Sequence, residues 1–208
     1  MPMPNFTAVL LAAGYSRRFG SAKLLQPLSN GIALGLQAAL NLRAAQIPVL
    51  VVVNPEQIVL TRLYQDYKFP TIANLHAQQG MGASIAAGVQ ASQTANGWLI
   101  ALADMPFIQP TTLQALWQAL NHGSALVAPC YQKQRGHPVG VSSAFKADLL
   151  ALNQDQGAQR LLQQQQALLQ LIQTRDAGVV WDIDTPSDLP REQTPPFTEA
   201  HPYSEVFL

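Results

Sequence analysis

Runs of Val, Leu, Ile and Ala recur at residues 7–11, 48–53, 98–103 and 125–128, and longer stretches of helical periodicity separate them. A run of five or six apolar residues has no face to give to water, so each reads as a strand covered on both sides. Covered strands that alternate with helices build a parallel sheet between two helical layers. The expectation is a three-layer α/β/α fold of Rossmann-like type with a mostly parallel mixed sheet. Such sheets bind ligands at their carboxyl edge.

The helical stretches support this. Leu34, Leu36, Ala38, Ala39, Leu40 and Leu42 suit a buried helix, and Ile58, Val59, Leu63 and Tyr64 follow a Pro55 placed for a first helical turn. Leu113, Leu116, Trp117 and Leu120 recur at spacings of three and four, after Thr111-Thr112 and before a stop at Asn121-His122-Gly123. Past residue 130 the pattern loosens. Residues 137–141, 169–172 and 179–183 read as short strands around a helical stretch over 143–166, in which the glutamines 163–166 form a solvated face. From Pro190 onward Pro195-Pro196 and Pro202 replace any period, so 190–208 reads as a tail and 1–189 as a single domain.

Twelve acidic and twelve basic residues balance in the 208-residue chain, so no bulk field recruits nucleic acid or an anionic membrane. Any anion site is local. The lone Cys130 excludes an internal disulfide and suits a reducing, cytoplasmic setting. The N-terminal lead has no basic region, and the apolar stretch 8–13 is too short for a secretory segment.

The segment Leu11-Ala12-Ala13-Gly14-Tyr15-Ser16-Arg17-Arg18-Phe19-Gly20-Ser21-Ala22-Lys23 leaves a buried strand and enters a loop of small residues with three cations. Small residues let backbone N–H groups approach an anion, and the cations neutralise it. Neither the Walker spacing nor the G-x-G-x-x-G fingerprint is present. Gly80-Met81-Gly82-Ala83-Ser84 precedes an Ala-rich run at 85–91, which puts its backbone and the Ser84 hydroxyl at a helix N-terminus that can face an anion, or leaves Ser84 as a plain cap. Asp104 follows the strand at 98–103, where a carboxylate can hold Mg²⁺ while waters and phosphate oxygens complete the octahedron.

These segments resemble the MobA-like nucleotidyltransferases. LAAG-x-S-x-R-x-G-x-x-K looks like their signature loop. Gly80-Met81-Gly82-Ala83-Ser84-Ile85, Ala103-Asp104-Met105-Pro106-Phe107, Arg135-Gly136-His137-Pro138-Val139, Gly157-Ala158-Gln159-Arg160-Leu161-Leu162 and Asp182-Ile183-Asp184-Thr185-Pro186 follow in the order of the molybdenum cofactor cytidylyltransferase branch. The resemblance spans roughly residues 6–189.

It implies a nucleotidyltransferase fold with a nucleotide-binding half at about 6–105 and an acceptor-binding half at about 106–189. Leu11, Ala12, Ala13 and Gly14 would line the nucleotide with Gly80, Gly82 and Ser84, while Arg18 and Lys23 would contact the phosphates. Asp104 and Asp184 would share a Mg²⁺, with Asp182 in reserve on the same strand face. Arg135 and His137 would face the acceptor, His137 orienting a pterin phosphate, although a structural histidine fits that position as well. The implied reaction joins CMP from CTP to a molybdopterin-type cofactor that serves a molybdenum hydroxylase.

The guanylyl-transferring relatives tend to carry glycine at the middle of Ala12-Ala13-Gly14, so the Ala13 methyl would favour a pyrimidine. Two departures bear on the acceptor. The basic residue is missing from Leu28-Ser29-Asn30-Gly31-Ile32-Ala33, and the arginine after Gly157-Ala158 is displaced by one position, to Arg160. A guanylyl or sugar-phosphate transferase, a dinucleotide-dependent oxidoreductase and a cofactor delivery protein are the rivals.

Overall fold

The computed structural model describes residues 5–14, 22–153 and 157–189. Among them eight strands join one sheet: β1 (Phe6–Ala12), β2 (Val49–Val53), β3 (Thr71–Ala73), β4 (Gly97–Leu102), β5 (Leu126–Tyr131), β6 (Gln134–Arg135), β7 (Val139–Ser142) and β8 (Leu169–Gln173). The order is β3-β2-β1-β4-β7-β5-β6, with β8 also on β5. Pairs β1–β2, β1–β4, β2–β3 and β5–β8 are parallel, and β4–β7, β5–β7 and β5–β6 antiparallel. This is the mixed sheet expected from the sequence.

Alternation along the strands feeds two cores. On β1, Ala8, Leu10 and Ala12 join one cluster and Val9 the other; on β4, Leu99 and Ala101 oppose Trp98 and Ile100. The first core is closed by α1 (Leu34–Ala44), α2 (Ile58–Asp66) and α4 (Pro110–Asn121), through residues such as Leu36, Leu60, Tyr64, Leu113 and Leu116. The second is closed by α3 (Met81–Ala91), α5 (Lys146–Leu150) and α6 (Gln159–Gln164), through Ile85, Val89, Leu149, Leu161 and Leu162. Helices thus cover both faces. Gly88 lets α3 come close, since a Cβ there would lie 2.3 Å from a Val9 methyl.

Several sequence expectations are corrected. Residues 179–183 form no strand: a 3₁₀ turn covers Ala177–Val180 and irregular chain follows, because Val179 and Ile183 bury themselves in the first core without a ladder partner. The strand expected at 137–141 starts only at Val139, after a cis His137–Pro138 bond, which leaves His137 on the loop before it. Among the described residues the stretch 143–166 holds a 3₁₀ turn at Ser143–Phe145 and short helices at Lys146–Leu150 and Gln159–Gln164 rather than one helix. Ile58 and Val59 are 70% and 68% exposed, and α2 packs through Leu60 and Tyr64 instead. Strand β3 had no signal, because a three-residue edge strand carries no period. Among the described residues no helix is long and apolar enough to cross a membrane.

Candidate active site

Strands β1, β2, β3 and β4 run parallel, so their carboxyl ends share one edge. There a cleft of about 370 Å³ opens between Leu11, Ala13 and Gly14 on one side and Gly80, Met81 and Ser84 on the other, with Asp104 also in its lining. Gly80 caps α3 at φ 103°, a left-handed conformation that favours glycine. Gly14 has open space where a Cβ would stand. Ala12 and Gly82 are not on the lining: the Ala12 methyl belongs to the core, and Gly82 is buried in the first turn of α3.

Ser84 is not the cap of α3. It is the fourth residue of the helix, and its hydroxyl accepts a hydrogen bond from Asn74 Nδ2 at 3.0 Å. Asn74 is buried and follows β3 directly, while its own Oδ1 accepts from His76 N. Asn54 follows β2 in the same way, with its Nδ2 buried and without a hydrogen-bond partner among the described residues. Sequence reasoning missed both asparagines, although Val53-Asn54 and Ala73-Asn74 carried a signal: a polar residue ending an apolar run at the ligand edge.

Lys23 and the two aspartates converge beside the cleft. Lys23 Nζ donates to Asp104 Oδ2 at 2.9 Å and to Asp184 Oδ1 at 3.3 Å. The two carboxylate oxygens are therefore no farther apart than those two lengths laid end to end. Lys23 is only 9% exposed, at the start of a 3₁₀ turn over Lys23–Leu25. Burial by itself lowers an ammonium pKa, but the Asp104 charge and hydrogen bond, with those of Asp184, outweigh it and hold Lys23 above the usual lysine value.

Backbone contacts fix this convergence. Ile183 N donates to Asp104 O at 3.0 Å, laying the segment that carries Asp184 against the end of β4. A capping box then turns the chain: Asp188 Oδ2 accepts from Asp184 N at 3.0 Å and from Thr185 N at 2.6 Å. These bonds hold the Asp188 carboxyl below the usual carboxylate range. Asp184 is thus placed by a turn, not by strand alternation.

A polar chain, buried at Gln37 and Asn41, braces the residues after Asp104. Asn30 Nδ2 donates to Gln37 Oε1 and Gln37 Nε2 to Asn41 Oδ1, and Asn41 Nδ2 donates to Pro106 O and Ile108 O at 2.8 and 3.0 Å. Asn30 lies in the segment that lacks the family's basic residue. Asp176, 3% exposed, ties the same stretch to the later one, its Oδ2 accepting from Gln109 N and its Oδ1 from Gly178 N. Sequence reasoning found none of these residues: Asn41 and Asp176 serve main-chain groups far away in the chain, at Pro106, Ile108 and Gln109.

Arg135 is exposed on β6, and His137 sits on the loop before β7, its N–H donating to Val179 O at 2.8 Å. Burial, then the Arg135 charge, lower the His137 pKa, while Asp104 and Asp182 act the other way. Its Nδ1 is buried and has no hydrogen-bond partner among the described residues. Cys130 is buried in β5. Arg18 lies outside the described residues.

The family description "MobA-like NTP transferase domain" matches residues 8–169. The chain belongs to that family. It is accordingly a nucleotidyltransferase by descent, and it is 34% identical over 200 residues to the purine catabolism protein PucB of Bacillus subtilis, covering 90% of this chain and 96% of that protein. It is also 30% identical over 195 residues to the nicotine blue oxidoreductase of Paenarthrobacter nicotinovorans, covering 88% and 94%. The molybdenum cofactor cytidylyltransferase of Escherichia coli is 27% identical over 190 residues, at 89% and 94% coverage. Among solved structures, the fold aligns with that of Rv0371c of Mycobacterium tuberculosis in complex with manganese at a TM-score of 0.75 and 20% identity, covering 88% of this chain and 95% of that one.

Proposed function

We propose that this transferase moves CMP from CTP to the terminal phosphate of a molybdopterin-type molybdenum cofactor and releases pyrophosphate. The observation that carries the reading is the convergence of Asp104, Asp184 and Lys23 beside the Leu11–Gly80 cleft. The cytidylyltransferase among the relatives supports the choice of reaction. Residues 1–189 act as one unit in this reading, with the nucleotide at 6–105, the acceptor at 106–189 and 190–208 as a tail. The setting is the cytoplasm, and a molybdenum hydroxylase receives the product.

An acceptor phosphate oxygen forms a new bond to the α-phosphorus of CTP as the bond to the β-phosphate oxygen breaks, and pyrophosphate takes the released electron pair. An existing phosphate is already a nucleophile, so no covalent enzyme intermediate is needed, and positioning with charge neutralisation supplies the rate. Leu11, Ala13, Gly14, Gly80 and Ser84 hold the nucleoside end, with Ala12 and Gly82 shaping their turns. Ala13 sets the size of the base site with its methyl, which favours a pyrimidine. Arg18 and Lys23 take phosphate charge. Arg135 and His137 orient the acceptor phosphate.

The donor set at Asp104 and Asp184 fits a divalent cation, since a lysine ammonium already sits between the two carboxylates. Mg²⁺ would be held by both, with phosphate and water completing its shell, because no group of three His, Cys, Asp or Glu gathers among the described residues. When bound, that ion neutralises charge on the leaving pyrophosphate. Manganese in the Rv0371c complex is in keeping with this.

The nicotine blue oxidoreductase relative motivates one other reading, hydride transfer at the same cleft. Hydride transfer gives no task to a carboxylate pair that closes on a cation. Pyrophosphate release from CTP and from GTP, with and without molybdenum cofactor, tests the proposal against it. The expected result is cofactor-dependent release with at least tenfold preference for CTP, about 1.4 kcal/mol of discrimination. Oxidation of NADH without pyrophosphate release would replace it, and preference for GTP would move the chain to guanylyl transfer.

A further inference from the structure

The sequence gives Lys23 and the aspartates separate tasks, the lysine on phosphates and the carboxylates on a metal. The geometry does not keep them separate. Lys23 Nζ bonds to Asp104 at 2.9 Å and to Asp184 at 3.3 Å, in the space between the two carboxylates that a shared ion would need. Two positive charges cannot both keep that position, because a cation at hydrogen-bonding distance from another is strongly repelled in a partly desolvated site. Two carboxylates this close repel one another, so a cation between them is favoured.

We propose that Lys23 is a resident counter-ion of the Asp104–Asp184 pair, occupying the place of a divalent cation until that cation displaces its ammonium, which then turns to the phosphates of the arriving nucleotide. The inference rests on the reading of Asp104 and Asp184 as metal ligands. It adds that Lys23 and the metal compete for one position. Each is then a substitute for the other, and phosphate binding by Lys23 depends on the metal having taken its place.

The backbone is suited to such an exchange. Asp104 and Asp184 are held by contacts that do not involve Lys23: Ile183 N to Asp104 O, the Asp188 turn around Asp184, and Asn41 on Pro106 O and Ile108 O. The carboxylates can therefore keep their places while the long lysine side chain moves. Lys23 stands on a 3₁₀ turn of three residues, and its four-methylene stem has several rotatable bonds through which the ammonium can be re-aimed.

The test measures metal binding with no nucleotide present. Free Mn²⁺ is titrated by electron paramagnetic resonance against the full chain and its Lys23→Met and Asp104→Asn variants. Lys23→Met, which keeps the length of the stem, should bind Mn²⁺ about tenfold more tightly than the wild type, because no ammonium has to be expelled. Equal or weaker binding by Lys23→Met, while Asp104→Asn loses the ion, would overturn the competition and leave the metal reading intact. Unchanged binding by Asp104→Asn would remove the metal reading and the inference with it.

A second measurement uses the wild-type chain, so it does not depend on how a variant folds. The four lysines are Lys23, Lys68, Lys133 and Lys146, and Lys23 is the buried one. Amine acetylation followed by mass spectrometry should label Lys23 slowly without metal and severalfold faster with saturating Mn²⁺, with the other three unchanged. A Lys23 rate that Mn²⁺ leaves the same or slows would overturn the exchange.

Discussion

The carbonyl of Asp104 accepts a hydrogen bond from the amide of Ile183 at 3.0 Å, and through it a residue at the end of β4 fixes the neighbour of Asp184. The two carboxylates are thus set by main-chain contact, before any cation is considered. Lys23 then bonds to both.

If the two carboxylates act as one unit, Asp104→Asn raises the Mg²⁺ needed for half-maximal pyrophosphate release and lowers kcat. Asp184→Asn does the same, more weakly where the amide oxygen still ligates. The double variant loses less than the product of the single losses, because groups that share one task are non-additive. Steady-state kinetics over a Mg²⁺ series measures this, and strictly multiplicative losses would assign the two residues separate roles.

Lys23→Ala lowers turnover about 10²-fold or more, the range for loss of one positioned charge donor. Lys23 is only 9% exposed and pairs with both carboxylates, so the variant also costs stability. The stability cost falls between the ~1 kcal/mol of an exposed pair and the ~3–5 kcal/mol of a fully buried one. Because the folded pKa of Lys23 lies above 10.5, the charge contribution is fully present below pH 10.5 and is lost as pH rises through the folded value. Urea unfolding of wild type and variant on both sides of that pH should show the gap narrowing at the alkaline end.

Asn41→Leu removes the donor to Pro106 O and Ile108 O and the acceptor of Gln37 Nε2. Each buried group left unpaired costs about 1–3 kcal/mol, so unfolding should shift clearly. Looser bracing of the stretch after Asp104 should also raise the Mg²⁺ requirement. Calorimetry reads the first effect and metal-dependent kinetics the second; a stability loss with an unchanged Mg²⁺ requirement would confine Asn41 to folding.

His137 titrates below its ordinary 6.5, chiefly through burial and then through the Arg135 charge. The folded state therefore favours the neutral ring, and the unfolded state binds the extra proton as pH falls below 6.5. Wild type should lose stability across that window, and His137→Gln should lose less. Denaturation midpoints of both proteins above and below pH 6.5 check the sign; parallel curves would mean that His137 titrates as it does in the unfolded chain.

What the sequence by itself determined is local or periodic. Apolar runs announced β1, β2, β4 and β5 and the mixed sheet, since strands covered on both faces cannot alternate. The motif order announced the family, and small residues at Ala13, Gly14 and Gly80 marked the cleft wall. Tertiary structure decided the rest. Strand β7 inserts antiparallel between β4 and β5, and residues 179–183 bury Val179 and Ile183 without joining a ladder, outcomes of core packing that no short window encodes. Gly178 and Gly136 are needed where that segment crosses, since a Cβ would lie 2.3 Å from Phe107 O or 2.2 Å from Val179 O. The meeting of Lys23 with Asp104 and Asp184 belongs to this second kind: each residue was legible alone, but the distance between charges far apart in the chain exists only once the sheet edge and the Asp188 turn have brought them together.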